Sequence, residues 1–192
     1  MNWNLPNILT WMRIVAVPLV VLLFYAPNRW ADPAAGLLFA AASITDTLDG
    51  YFARRMNLTS RLGAFLDPVA DKLIVAVALV LLVSKDPPMN SDPRFITVVA
   101  ACVIIGREIA VSALREWMAE LGQRTTVAVS KLGKLKTILQ MVGLTMMLYR
   151  WDLFGLPIYR MGFYLTVLAA ILTLWSMVSY LRAAWPVLTA RE

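Results

Sequence analysis

The stretch Asp46–Asp71, DTLDGYFARRMNLTSRLGAFLDPVAD, decides how the rest of the chain is read. It holds four carboxylates, Asp46, Asp49, Asp67 and Asp71. Ala34–Ile44 before it and Leu73–Val83 after it are almost wholly apolar. The acids form two pairs, spaced i,i+3 and i,i+4, and either spacing puts both members on one face of a helix. The flanking apolar runs place them on membrane helices, where an ionised group is expensive, functional by default, and in need of a partner. Four acids sharing one site repel each other. The partner they imply is a hard divalent cation, expected as a pair. The plainer alternative is a set of helix-end charges at the membrane interface.

Composition supports the membrane reading. The 192 residues are 60% apolar, with a mean hydropathy of +0.68. Their length fits one domain, 1–192. The excess of 18 Lys and Arg over 12 Asp and Glu, a net charge of +6, points to topology and anionic headgroups rather than to nucleic acid. The chain has no histidine, so any base must be a carboxylate, a lysine or a tyrosine. The one cysteine, Cys102, sits in an apolar run and reads as a buried bystander thiol. The N-terminus lacks the basic region of a cleavable signal peptide, so the first apolar run is expected to stay as a helix.

The expected fold is all-α, with six transmembrane helices and a short interfacial helical segment at the N-terminus. Residues 1–13 form that segment and lead into Ile14–Ala26, which is too short to span alone. Further spans are expected near Ala34–Arg55, Leu66–Ser84, Phe95–Leu114 (continuing as a polar helix to Leu121), Thr137–Tyr149 and Met161–Leu181. Lys85–Pro93 and Arg150–Arg160 read as loops, and Gly122–Lys136 as a basic connection. Gly122 suits a helix end. Pro68 fits either the first turn of a helix opening at Asp67 or a kink within a longer one.

Six spans put both termini on one side. Thirteen of the 18 Lys and Arg, including Arg13, Arg54, Arg107, Arg115, Lys134 and Lys136, fall on that side, which makes it the cytosol. Arg29, Lys85, Arg94, Arg150 and Arg160 fall on the other. At a helical rise of about 1.5 Å per residue, Asp46, Asp71 and Arg107 lie about 18, 21 and 20 Å from the outer ends of their helices. Three helices thus bring charge to one level, as a polar cavity open to the cytosol requires.

Asp46, Asp49, Gly50, Ala53 and Arg54 follow one helical stripe. Gly50 and Ala53 leave room for a ligand or for a neighbouring helix, and Arg54 offers a bidentate donor to phosphate. The whole pattern, D-x2-D-G-x2-A-R-x8-G-x3-D-x3-D, resembles the signature of the CDP-alcohol phosphotransferase family. The segment Pro6–Arg13, PNILTWMR, is similar to the P-N-x-L-T-x-x-R segment of that family's phosphatidyltransferases. A plain interfacial anchor, with Arg13 snorkelling to headgroups, is its other reading.

The resemblance implies roles. Asp46, Asp49, Asp67 and Asp71 hold metal, two Mg²⁺ or Mn²⁺ ions, and Asp71 is also the general base. Asp49, Gly50, Ala53, Arg54 and Gly63 contact the CDP-diacylglycerol donor. Asn7, Thr10 and Arg13 serve the acceptor. It also implies a homodimer in a bacterial cytoplasmic membrane.

A third group is basic. Arg107 sits with Glu108 inside an apolar run, either as an Arg–Glu pair holding two helices together or facing an anionic substrate. Arg115 lies eight residues on, and Lys134 and Lys136 open the next span near a helix N-terminus that favours anions. GREIAVSALREWMAELG followed by SKLGKLKT resembles the family members whose acceptor is sn-glycerol 3-phosphate. That implies phosphatidyl transfer from CDP-diacylglycerol, giving phosphatidylglycerophosphate and CMP, with Arg107, Arg115, Lys134 and Lys136 at the acceptor. The rivals are the same transfer to serine, inositol phosphate or phosphatidylglycerol, and a divalent-cation transporter. A transporter needs polar groups on both sides of the midplane, whereas these spans are apolar towards the outside.

Overall fold

A chain this apolar has to satisfy its own backbone hydrogen bonds where no water reaches, and the helix is the local way to do so. The computed structural model describes residues 5–56, 61–88, 93–122 and 131–189, without the side chains of 5–9, 46–56, 61–65, 67, 131–132, 134 and 186–189. It contains six α-helices: α1 Leu5–Tyr25, α2 Ala31–Met56, α3 Arg61–Ser84, α4 Arg94–Glu120, α5 Lys131–Tyr149 and α6 Ile158–Thr189. Among the described residues the one β feature is a bridge between Leu153 and Leu156.

The helices are longer than the apolar runs that announced them. Among the described residues, 5–13 form no segment separate from the first apolar run, because Leu5–Tyr25 is one helix. Pro6 falls in its first turn, where a missing N–H is tolerated. Pro68 lies inside α3, which begins at Arg61. α5 begins at Lys131 rather than Thr137, since lysine and leucine both favour helix. α4 ends where the glycine was expected: Gly122 takes φ +72° and its N–H bonds to the Ala119 carbonyl at 3.2 Å. The parts of the basic and polar connections at 123–130 and 89–92 lie outside the described residues.

Among the described residues, α4 and α6 each carry a stretch long and apolar enough to cross a bilayer, Arg94–Glu120 and Ile158–Trp185. Within the residues whose side chains are described, the apolar parts of α1, α2 and α5 are Thr10–Tyr25, Ala31–Thr45 and Leu135–Tyr149.

α1 packs against α2 and α3, α5 against α2, α3 and α6, and α4 against α3 and α6. Phe24, Phe39, Leu79, Ile104, Leu144 and Met147 meet at the centre of one core, each fully buried. Large apolar side chains such as Leu22, Val80, Phe95, Ile138 and Ile171 face outward all round the bundle. Such a surface suits lipid and would associate in water. Cys102 is among the outward residues, not buried as expected. A lipid-facing surface and a core are equally apolar, so the sequence run around Cys102 does not distinguish them.

Glycines set the closest helix approaches. A Cβ on Gly162 of α6 would lie 2.7 Å from the Gly143 carbonyl oxygen of α5, and one on Gly36 of α2 would lie 2.7 Å from the Tyr149 backbone nitrogen. Small residues let backbones approach where dispersion is the main attraction between helices.

One end of the bundle is tied by charge. Asp32 of α2 receives Lys85 Nζ at 2.9 Å and Arg150 Nε at 3.4 Å. Arg150 also donates to the Asp86 carbonyl at 2.6 Å. Arg150 reaches them from a left-handed backbone, φ 61°, just past the end of α5. Lys85, Arg94 and Arg150, assigned to one side by charge bias, do meet at one end.

Gly162→Val forces α5 and α6 apart. It is expected to lower stability by about 1–3 kcal/mol, seen as a lower thermal midpoint in detergent.

Candidate active site

The opposite end of the bundle holds a cavity of about 230 Å³. α3 contributes Asp71, α4 Arg107 and Arg115, α5 Lys136 and α6 Tyr180. Arg13 of α1 forms an ion pair with Asp71 through its Nη1. Five helices therefore meet here with polar groups.

Periodicity explains how. The buried residues of α4 are Thr97, Ala100, Ala101, Ile104, Arg107, Val111 and Met118, a single stripe along the helix. Arg107 occupies a core position of that stripe, and is 6% exposed. On α5, Gly133, Lys136, Gln140 and Leu144 form the buried face in the same way. Each helix thus aims a cation inward at the place where the apolar stripe would otherwise continue.

Arg107 Nη1 donates to Glu108 Oε1 at 2.5 Å. The pair lies within one helix, and the contact of Arg107 with a second helix is to the Tyr180 ring of α6. Arg107 Nε and Lys136 Nζ are buried and have no hydrogen-bond partner among the described residues. A buried polar atom left unpaired carries its full desolvation penalty. Two such donors at one cavity are matched by an anion. Arg115, on the exposed side, donates from Nη2 to the Tyr180 hydroxyl at 3.0 Å.

Of the expected site residues, Asp71, Arg107, Arg115 and Lys136 come together around this cavity. Arg13 joins them through Asp71. At 2% exposed it does not snorkel outward as a headgroup anchor. Thr10, one turn earlier on α1, is also buried. Asn7, Asp46, Asp49, Gly50, Ala53, Arg54, Gly63, Asp67 and Lys134 lie on described helices, with side chains outside the described residues. Tyr180 and Gln140 line the cavity and went unrecognised in the sequence. A tyrosine near a span end reads first as part of an interfacial aromatic belt, so its signal was present but not distinctive.

Among the described residues no three acidic side chains are grouped to hold a metal ion, and of the four expected metal-holding acids only Asp71 has a described side chain. Asp71 offers carboxylate oxygen at the cavity wall, the sequence has no histidine, and Cys102 faces outward. Oxygen-only donors suit Mg²⁺ and Mn²⁺.

A family model described as CDP-alcohol phosphatidyltransferase matches residues 3–178. The chain is 48% identical over 184 residues to a CDP-diacylglycerol–glycerol-3-phosphate 3-phosphatidyltransferase of Shigella flexneri serotype 5b, covering 96% of each chain. It has the same identity and coverage with the enzyme of that name from Escherichia coli strain K12.

Lys136→Met removes an amine that has no hydrogen-bond partner among the described residues. It is expected to stabilise the resting protein by about 1–3 kcal/mol. Inorganic phosphate is expected to raise the thermal midpoint of the unsubstituted chain, and Lys136→Met to abolish that rise. Differential scanning fluorimetry with and without phosphate checks both.

Proposed function

Since this chain belongs to the CDP-alcohol phosphatidyltransferase family, we propose that it moves the phosphatidyl group of CDP-diacylglycerol onto the 1-hydroxyl of sn-glycerol 3-phosphate, giving phosphatidylglycerophosphate and CMP. One observation carries the choice of acceptor: four cations, Lys72, Arg107, Arg115 and Lys136, line a single cavity with Asp71 and Glu108. A dianionic phosphate answers those cations and the unpaired donors on Arg107 and Lys136. Serine would leave them unmatched.

The chain's own groups divide the work. Arg107, Arg115 and Lys136 hold the acceptor phosphate, which leaves the far hydroxyl directed at Asp71. Arg13 orients the Asp71 carboxylate from α1, with Thr10 and Asn7 on the same helix towards its N-terminus. Asp71 takes the hydroxyl proton as the oxygen attacks the phosphatidyl phosphorus. The bond from that phosphorus to the CMP oxygen breaks, and CMP leaves with the electron pair. Gly50, Ala53, Arg54 and Gly63 belong to the donor side, with Asp49. Asp46, Asp49, Asp67 and Asp71 would hold two Mg²⁺ or Mn²⁺, which when bound neutralise diphosphate charge and favour in-line displacement.

The same reading places all six helices across a bacterial cytoplasmic membrane, in a homodimer. Both termini and the cavity then face the cytosol. The charge bias supports that orientation, and the Asp32–Lys85–Arg150 cluster marks the outer end.

Asp71→Asn is expected to lower turnover by at least about 10²-fold, the scale of a positioned base. CDP-diacylglycerol binding should persist. CMP release in detergent measures the first and a lipid-binding assay the second. Excess EDTA should stop the unsubstituted enzyme, and added Mg²⁺ or Mn²⁺ should restore it. Arg107→Ala is expected to raise KM for glycerol 3-phosphate about tenfold or more, the worth of a charge-assisted contact. KM for CDP-diacylglycerol should hold. A rise in the lipid KM alone would assign Arg107 to the donor instead.

A further inference from the structure

Tyr180 is the uncharged member of the cationic group, and the one that α6 supplies. It is 7% exposed. Its ring lies between the two arginines of α4: the centroid is 5.9 Å from Arg107 Cζ and 5.3 Å from Arg115 Cζ. Its hydroxyl accepts the hydrogen bond from Arg115 Nη2 at 3.0 Å. The ring is itself fixed by a second apolar cluster, Val111 and Met118 of α4 with Ala184 of α6, apart from the main core.

We propose that Tyr180 is a positioning residue that presents Arg107 and Arg115 together to the phosphate of the acceptor. The proposal rests on the reading of this cavity as the acceptor site. Two guanidinium groups and the Lys136 ammonium at one small cavity repel each other, and Glu108 pairs with Arg107 alone of the three. The face of an aromatic ring offsets part of that repulsion without neutralising any cation. A carboxylate in the same place would compete with the phosphate for the same donors. The phenol takes only one N–H of Arg115. A guanidinium has five donors in a fixed fork, so the others stay available for bidentate contact with phosphate.

Arg115 shows the need for such a device. It is on the exposed side of α4, where a long side chain samples many rotamers. Binding an anion with a free-moving arginine costs that freedom at the moment of binding, and fixing the side chain beforehand removes the cost. Tyr180 fixes it by a stack and a hydrogen bond at once. It touches no reacting atom in this account, so its effect belongs in the affinity for the acceptor and not in the chemical step.

The test uses the full chain in detergent, with initial rates measured against each substrate in turn for Tyr180→Leu, Tyr180→Phe and Arg107→Ala. Tyr180→Leu removes ring and hydroxyl and is expected to raise KM for glycerol 3-phosphate about tenfold. Tyr180→Phe keeps the ring face and is expected to raise it about threefold, a partial rescue. KM for CDP-diacylglycerol and kcat should stay within about twofold in both, since neither the donor nor the reacting atoms are touched. If Tyr180→Leu does not fold, the same threefold rise in Tyr180→Phe decides in favour, and an unchanged KM there decides against.

An unchanged glycerol 3-phosphate KM in Tyr180→Leu, with a raised one in Arg107→Ala, overturns the role of Tyr180 and leaves the acceptor site standing. A parallel rise in both KM values, or a fall in kcat alone, makes the residue structural and also overturns it. If the unsubstituted chain does not use glycerol 3-phosphate, the reading of the function fails, and inorganic phosphate then decides for Tyr180. Loss of the phosphate-induced thermal shift in the Tyr180 variants supports positioning, and its retention refutes it.

Discussion

Charge buried at one end of an apolar bundle is the constraint on which the rest of this structure depends. Arg13, Arg107 and Lys136 are each almost wholly buried. Such groups persist only where partners answer their charge. Arg13 finds Asp71, and Arg107 finds Glu108 and the Tyr180 ring. The helices must meet at a fixed register for these pairs to form, because each helix brings its charge at one place along its length. Core packing around Phe24, Phe39, Leu79 and Ile104 sets that register from the middle of the bundle.

The two ends use charge differently. At the end away from the cavity Asp32 accepts two cations, and Arg150 reaches it from a left-handed backbone conformation. Cation and anion are matched there, which suits a clasp joining α2, α3 and α5. At the cavity end the described cations outnumber the described acids. Lys72, Arg107, Arg115 and Lys136 line the cavity with Asp71 and Glu108, and Asp71 is already engaged by Arg13. The family match and the chemistry of the cavity thus lead to one account, in which lipid donor and phosphate-bearing acceptor meet at the same helix ends.

The glycines at the α5–α6 contact connect fold to site. Gly143 and Gly162 let these helices approach backbone to backbone. α5 carries Lys136 seven residues before Gly143, and α6 carries Tyr180 near its other end. A tight crossing keeps both at the cavity wall. Bulk at the crossing would move a cation and the ring that steadies its neighbours, without touching either.

The sequence by itself determined much here, because the strongest signals were local. Carboxylates at fixed gaps from Asp46 to Asp71, long apolar runs, and lysine and arginine gathered on one side are all read along the chain. Helix number, the common level of Asp71 and Arg107, and the family follow from them. Tertiary structure alone decided what faces what. Cys102 and Ile104 stand in one apolar run, yet one faces outward and the other is core. Arg13 reads equally as headgroup anchor or site residue until α1 is seen against α3. Tyr180 reads as an interfacial aromatic until α6 is seen against α4. The physical reason is the same in each case. In a membrane chain, lipid and core both select apolar side chains, so hydropathy fixes where a helix lies but not which way it is turned. Rotation is settled by packing, through glycine contacts and buried charge pairs between residues far apart in the chain.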